Sequence, residues 1–408
     1  MSNIPLKTVA RDSRELVATR TTLGKLSTLI TSGSRGWAEY YSETGALFLR
    51  MTNLPKEGIK LLLHDNKYVT LPSSSSEGKR TNVKQNDILI SITAELGKIG
   101  FIEDLPGEAY VSQHVALVRV SSSKVYAKFL AYYLAAAQQR LRWQRLNDPG
   151  AKAALNLQTI AKYPIALPPL EQQITIANIL STWDATIEKN EKLVEVKKKL
   201  FKWLLGRLFS SAKNQRGHIR DVTKEVSERN GRSAVDRVLS VTNTRGFVLP
   251  EDQFDRRVAS SDLSNYKVVA RGQYAYNPSR INVGSIARLD DWDKGVLSPM
   301  YVVFDINDKK VTSDFFLHWL SSHEAKERIR KSAQGSVRET VSFADLGAIP
   351  FPLPPLVQQN QIAKILNTAR QEIDLLKKQA EAYKKQKRGL MQKLLTGKWR
   401  VKASEEVS

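Results

Sequence analysis

The sequence predicts an α+β protein with two tandem globular domains, separated and joined by two long helices that form an antiparallel coiled coil with pseudo-twofold symmetry. Three observations predict this fold class. One internal repeat is as long as a domain, and each copy ends in a long stretch whose apolar residues follow heptad spacing. The segments before these stretches contain short apolar runs bounded by turn residues, which is typical of strands.

The repeat is clearest in a motif that occurs at 163–173 and again at 349–359, an offset of 186 residues. The first copy reads Tyr-Pro-Ile-Ala-Leu-Pro-Pro-Leu-Glu-Gln-Gln, and the second reads Ile-Pro-Phe-Pro-Leu-Pro-Pro-Leu-Val-Gln-Gln. The same offset places Val111–Val120 on Leu297–Ile306. A duplicated unit that pairs with itself forms an isologous interface, as a C2 dimer does. The repeat therefore predicts the pseudo-twofold symmetry.

The two long stretches are predicted as coiled-coil helices at 167–212 and 353–397. Their apolar residues recur every 3.5 residues on average, and the Pro-Pro pairs lie at the helix entrances, where proline is tolerated. Gly397 is a plausible C-terminal stop. The predicted interface consists of Ile176, Leu180, Trp183, Ile187, Val194, Phe201, Leu204 and Leu208 in the first helix, and Ile362, Leu366, Ile373, Leu376, Tyr383, Leu390 and Leu394 in the second.

The spacing of the apolar residues says less about whether the two helices run parallel or antiparallel. In an antiparallel pair, facing positions have numbers that sum to 570, so Phe201 would face Ala369 and large side chains would meet small ones. Lys387 would then lie against Trp183, with its charge reaching solvent. A parallel pairing also packs, and the sequence leaves it open. The lysines on the outer faces are either a solvated surface or contacts to phosphates.

The remaining sequence forms two globular domains, which we call the first head (1–166) and the second head (213–352), and a tail at 398–408. Helical stretches are predicted at 125–146 and 312–333, after the last strand of each head. We expect a mostly antiparallel sheet in each head. The predicted strands include Ala46–Met51, Asp87–Ile92, Val115–Val120 and Met300–Ile306.

The charge of the chain points to a polyanionic partner. The 63 Lys and Arg residues outnumber the 41 Asp and Glu residues, giving a net charge of +22. Such an excess favours nucleic acid, with an anionic membrane surface as the competing reading. No apolar run is long enough to span a bilayer, and the first residues lack a signal-peptide core, so we expect no membrane association. The absence of cysteine fits a reducing cytoplasm, and the five histidines lack metal-ligand spacing.

The chain contains, twice in succession, a head, a Leu-Pro-Pro-Leu-x-Gln-Gln motif and a long helix. This order resembles that of the type I restriction-modification specificity subunit family over nearly the whole chain. A strand motif similar to the family's Gly-Asp-Ile-Leu begins at Asn86 in the first head and at Gly272 in the second. Asn replaces Gly in the first copy, and Gln replaces Asp in the second, where Tyr and Ala follow in place of Ile and Leu. Asn tolerates the positive φ that a turn glycine supplies, so the turn can survive at Asn86. The ending at 392–401 is also similar to that of the family.

The resemblance implies that the heads are two target recognition domains, each reading one half of a split double-stranded DNA target. It implies that the helices set the spacer and dock two modification (methyltransferase) subunits, which restriction (translocase/nuclease) subunits join. This chain would be non-catalytic and bind no cofactor itself. S-adenosylmethionine, ATP and Mg would be held by the partner subunits.

Candidate DNA contacts are polar residues in loops punctuated by glycine or proline. Arginine pairs with guanine, and asparagine pairs with adenine, in the major groove. The alternative for each residue is an ordinary turn. The candidates are Ser34, Arg35, Arg50 and Asn53 in the first head and Asn243, Arg245, Arg280 and Asn282 in the second, with Lys98 and Arg338 as phosphate contacts.

Two other functions stay open on the sequence alone. A self-contained DNA methyltransferase is expected to resemble its family in an Asn/Asp-Pro-Pro-aromatic motif, and the nearest match, at Asn277, lacks the second proline and the aromatic residue. No phosphate-binding loop is present either. A basic coiled-coil scaffold or RNA-binding protein without sequence specificity is the other alternative.

Overall fold

The structure is a computed structural model that describes residues 9–10, 19–72, 76–105, 107–146, 154–211, 215–231, 234–252, 262–334 and 340–401. Its contacts divide the chain into two compact units, Met1–Lys189 with Ala380–Ser408, and Asn190–Gln379. Each unit contains one head and a part of both long helices, α6 (Leu170–Ser211) and α10 (Leu356–Leu395). The chain is thus a mixed helix and sheet protein, as predicted.

The first unit is built on a four-stranded antiparallel sheet in the order β3-β10-β7-β8. A second four-stranded sheet, β4-β6-β5-β9, includes one parallel pair, β5 with β9. The strands are β1 (Val9–Ala10), β2 (Thr19–Thr22), β3 (Ser27–Ser32), β4 (Tyr41–Ser42), β5 (Ala46–Leu49), β6 (Tyr68–Val69), β7 (Ile88–Ser91), β8 (Ile99–Phe101), β9 (Ala109–Val111), β10 (Val115–Val120), β11 (Pro164–Leu167) and β22 (Arg400–Val401). The short helices are α1 (Leu23–Leu26), α2 (Ser76–Thr81), α3 (Ala127–Ala135), α4 (Ala137–Arg145) and α5 (Leu157–Ala161).

The second unit has a corresponding sheet in the order β13-β20-β17-β18, together with the β14-β15 hairpin and the β16-β19 pair. Its strands are β12 (Arg216–His218), β13 (Thr223–Val226), β14 (Ser240–Thr242), β15 (Gly246–Val248), β16 (Lys267–Ala270), β17 (Tyr274–Tyr276), β18 (Ile286–Arg288), β19 (Lys294–Leu297), β20 (Val302–Ile306) and β21 (Pro350–Pro352). Its short helices are α7 (Ser313–Ser321), α8 (His323–Gln334) and α9 (Phe343–Gly347).

The two main sheets agree in register as well as in order. Ala116 pairs with Ile90 in the first unit, and Val302 pairs with Tyr276 in the second, so both members of the pair are displaced by 186 residues. The turn before β7 also agrees, because Asn86 and Gly272 adopt φ values of 69° and 87°. The sequence repeat is therefore a repeat of structure, and asparagine does replace glycine in this turn.

The sheet of the first head is buried on both faces, which explains its continuous apolar strands. Ile88 and Ile90 belong to the core beneath α3, whereas Leu89 and Leu117 belong to a second core that includes β5. The second head follows the same pattern, with Tyr276 on the helix side and Val303 on the other. Both heads consequently have a rigid sheet from which loops project.

The long helices run antiparallel within each unit. In the first unit, the Trp183 and Tyr383 rings meet edge to face at 5.8 Å. In the second unit, Asn190 Nδ2 donates to Gln379 Oε1 at 2.8 Å. The residue numbers of the two pairs add to 566 and 569, close to the predicted 570. The sum stays nearly constant because positions further along α6 meet positions earlier in α10. The antiparallel prediction is confirmed and the parallel alternative is wrong.

One detail of the coiled-coil prediction needs correction. The charge of Lys387 does not reach solvent, because its side chain is buried, forms an ion pair with Asp184 and has its Nζ 5.4 Å from the centre of the Tyr132 ring of α3. The positive charge of the buried Lys387 is therefore balanced by the Asp184 carboxylate within the first unit. At the end of α6, Leu204 and Leu208 lie half-buried against the second core, whereas Leu205 and Phe209 are buried there.

The second glutamine of each Leu-Pro-Pro-Leu-x-Gln-Gln motif joins a long helix to its head. The backbone N–H of Tyr126, which precedes α3, donates to Gln173 Oε1 at 3.0 Å. In the second unit, the N–H of Thr312, which precedes α7, donates to Gln359 Oε1 at 2.8 Å. Each side-chain amide also donates to the carbonyl of the first proline in the Pro-Pro pair before its helix, which is Pro168 or Pro354. We call each set of bonds a glutamine latch.

Candidate nucleic-acid interface

Three loops meet at one end of the main sheet of the first head. The loop at 33–36 follows β3, the loop at 92–98 follows β7, and the loop at 112–114 precedes β10. The strand register brings them together, since β10 pairs with β3 and with β7 at this end. We call this the first sheet end.

Ser34 and Arg35 lie in the first of these loops. Gly33 holds the loop against the next one, because a Cβ at this position would lie 2.3 Å from the Val111 carbonyl oxygen. Gly36 continues the turn with a φ of 99°. Arg35 is exposed, and its side chain has no hydrogen-bond or ion-pair partner within the described residues. The loop therefore presents a cation from a fixed backbone.

Lys98 also lies at the first sheet end, but its charge is already balanced. Its Nζ is 2.7 Å from Glu95 Oε2, and its side chain is largely buried. This hydrogen bond from Lys98 holds the pKa of Glu95 below its usual value. A phosphate that binds Lys98 would lie close to the Glu95 carboxylate, which would repel it.

Arg50 and Asn53 are directed into the first head. Arg50 Nη2 donates to the backbone carbonyl and the carboxylate of Asp65, at 2.9 and 3.0 Å. Asn53 is only 1% exposed, and it accepts from the Arg50 N–H and donates to the Leu62 carbonyl. These contacts hold the 61–65 loop in place. Because Arg50 Nη2 and the side-chain amide of Asn53 make these internal bonds, both residues are left out of the interface that we propose.

Sequence reasoning missed residues in the third loop of the first sheet end. Gln113 is half-buried and His114 is exposed, and His114 Nδ1 lies 2.9 Å from Thr93 Oγ1. Position 114 corresponds to Met300 in the second copy. Because neither residue matches the pairing of Arg or Asn with bases, the sequence alone contains no signal that singles it out.

The second head brings its four candidates together. Arg280 and Asn282 lie in the 277–285 loop, which follows β17 at the equivalent sheet end. Asn243 and Arg245 lie at the tip of the β14-β15 hairpin beside it, where a Cβ on Gly284 would be 3.7 Å from that of Asn243. We call this group of loops the second sheet end.

The second sheet end is polar and rich in arginine. Asn243, Arg245 and Arg280 are exposed. Asn282 is half-buried, and its Oδ1 has no hydrogen-bond partner within the described part of the chain. Such side chains can donate to guanine or pair with adenine. Arg338 lies outside the described residues.

The sites of the two heads thus share a scaffold and differ in their side chains. Each presents exposed arginine from loops at the same end of the same sheet. Within the described residues, no group of His, Asp and Glu could hold a metal ion. No helix in the described part of the chain is long and apolar enough to cross a membrane.

The chain is similar to known specificity proteins over most of its length. The chain is 28% identical over 343 residues to a Methanocaldococcus jannaschii protein that is provisionally named the type I restriction enzyme MjaX specificity subunit. The match covers 78% of this chain and 79% of that protein. It is 26% identical over 269 residues to the MjaVIII specificity subunit from the same organism, covering 58% of this chain and 62% of that protein.

Solved structures agree with the fold. The type I restriction-modification S subunit from M. genitalium matches with a TM-score of 0.58 at 16% identity, covering 94% of this chain and 98% of that one. The family model for the type I restriction modification DNA specificity domain matches residues 56–198 and 279–384, which together make up more than half of the chain. The chain therefore belongs to the type I restriction modification DNA specificity domain family.

Proposed function

We propose that this protein is the specificity subunit of a cytoplasmic type I restriction-modification complex, and that each head reads one half of a bipartite DNA target. The observation that carries this proposal is the pair of equivalent sheet ends, each with exposed arginine side chains on a duplicated scaffold. A net charge of +22 supports a DNA partner. Within such a complex, the part played by a specificity subunit is recognition and not catalysis.

The long helices are suited to fix the spacer between the two half-sites. They have 42 and 40 residues, which corresponds to about 60 Å of helix at 1.5 Å per residue. One turn of B-DNA is about 34–36 Å long. Helices of this length can span more than one turn, so we infer that the spacer is set by the coiled coil.

The same helices are proposed to dock two modification subunits, which restriction subunits join. An exposed apolar stripe on α6 supports a docking role. Leu193, Val196, Leu200 and Trp203 follow one another at intervals of three, four and three residues, and Trp203 is 61% exposed. A contiguous exposed apolar surface of this kind marks an interaction site. S-adenosylmethionine, ATP and Mg would be bound by these partners.

Replacement of Leu200 by glutamate tests the docking role. A charge at the centre of the stripe should weaken one modification subunit's attachment, because the carboxylate would lose water on binding. We expect the purified complex, measured by light scattering, to lose one modification subunit. Leu141→Glu is the matched control, since Leu141 is an exposed leucine on α4, outside the long helices. Unchanged composition of the Leu200→Glu complex would argue against docking at this stripe.

Single substitutions in the two heads test the division of the DNA target. Arg35→Ala, if Arg35 contacts a base, should weaken binding by about 1–3 kcal/mol and relax only the half-site of the first head. Arg280→Ala should relax only the other half-site. Methylation of a target library by the assembled complex provides the measurement. If neither variant changes the methylated sequences, these residues do not read bases, and equal affinity for random and cognate duplexes would favour a scaffold.

A further inference from the structure

Two exposed apolar side chains lie among the polar residues of the second sheet end. Met300 is 62% exposed and Val283 is 61% exposed. Met300 lies in the loop before β20, where Asn277 Nδ2 is 3.7 Å from its sulfur. Val283 lies in the same loop as Arg280 and Asn282. Because both side chains are largely exposed, they contribute little burial of apolar surface to the stability of the head.

The strand register relates the two loops that carry Met300 and Val283. Met300 precedes Val302, and Val283 precedes Ile286, and both of these strand residues pair with Tyr276. The two loops therefore lie on either side of β17. The strands that follow these loops, β20 and β18, are about two strand spacings apart, or roughly 10 Å, which is comparable to about three base steps of 3.4 Å.

The equivalent position in the first head carries a different chemistry. His114 is related to Met300 by the 186-residue offset. His114 comes immediately before β10, and Met300 comes two residues before β20. His114 is exposed and polar, and it lies beside Thr93. The duplicated scaffold thus presents a hydrogen-bonding side chain at one sheet end and an apolar side chain at the other.

We propose that Met300 and Val283 read thymine in the second half-site by contacting its 5-methyl group, whereas the first head places the hydrogen-bonding His114 at the corresponding point. The proposal rests on the proposed function. It is supported by the chemistry of the major groove, where the thymine methyl group is the apolar feature of an A·T pair. The neighbouring Arg280 and Asn243 supply the polar contacts on the same surface.

Deoxyuridine tests this reading, because it removes the methyl group and keeps every hydrogen-bonding atom. The target is first mapped from methylated sites, and the assembled complex is then titrated with duplexes that carry deoxyuridine in one half-site. Substitution of a contacted thymine in the second half-site should weaken binding about four-fold, the value of one buried methyl group. The Met300→Ala, Val283→Ala double variant should bind the thymine duplex more weakly and lose its response to deoxyuridine.

The first half-site is the internal control, since the double variant should respond to deoxyuridine there as the unchanged protein does. If the complex discriminates cognate from random DNA but ignores deoxyuridine in the second half-site, the thymine proposal fails and the proposed function stands. A second half-site made of G·C pairs alone would overturn it as well. Failure to discriminate cognate DNA at all would instead count against the proposed function.

Discussion

Replacing Gln359 with leucine is expected to lower the free energy of unfolding of the second unit by about 2–4 kcal/mol. Gln359 is fully buried, and its amide donates to the carbonyls of Lys310 and Pro354 while its oxygen accepts from the Thr312 N–H. Leucine fills the space but leaves these three backbone groups without that partner. Each buried unsatisfied group costs about 1–3 kcal/mol, and part of the loss is recovered by apolar packing.

Denaturant unfolding followed by the fluorescence of tryptophan measures this loss. The adjacent Gln358→Leu is the matched control, because Gln358 is half-buried and its side chain has no hydrogen bond to any described residue. Gln173→Leu should destabilise the first unit in the same way, since the first latch has the same bonds to Tyr126 and Pro168. Equal stability of Gln358→Leu and Gln359→Leu would mean that the hydrogen bonds of the glutamine latch do not stabilise the second unit.

Inserting one heptad into both helices is expected to lengthen the spacer between the half-sites without changing either half-site. Matched insertions after Asn190 and Gln379, which face each other within the second unit at 2.8 Å, would keep the coiled-coil seam in register. Seven residues add about 10 Å of helix, or about three base pairs at 3.4 Å per step. Mapping the methylated sequences of the variant measures the new spacer.

Seven residues added after Val401 form the control for this experiment, because they lie beyond the last strand and should leave the spacer as it was. A preserved spacer in the double-insertion variant would contradict the proposal that the coiled coil measures the distance. A change in the half-sites themselves would contradict the assignment of base reading to the heads.

Much of the fold could be predicted because the chain carries the same pattern twice. The offset that was read from the Leu-Pro-Pro-Leu motif reappears in the strand register, and Asn86 adopts the left-handed conformation expected of a glycine substitute. The sum rule for facing positions was also confirmed, since heptad spacing in an antiparallel pair fixes which layers meet. These features are set by local periodicity and by duplication, which a sequence displays directly.

The features that could not be predicted depend on which distant segment lies next to a residue. Arg50 and Asn53 look like other loop candidates in sequence, but the loop that carries Asp65 folds over them. Lys387 follows the heptad pattern, but α3 places Tyr132 beside it. Position 114 could not be predicted either, because the strand register brings the 112–114 loop to the same sheet end as the Arg35 loop.

The central claim is that two heads on one duplicated scaffold each read half of a split DNA sequence. Single-molecule sequencing of methylated adenines in the host genome, with and without the gene for this chain, tests it most directly. The account predicts one methylation motif that depends on the gene and consists of two half-sites separated by a spacer of constant length. Loss of a continuous motif without a spacer, or no change in methylation, would contradict it.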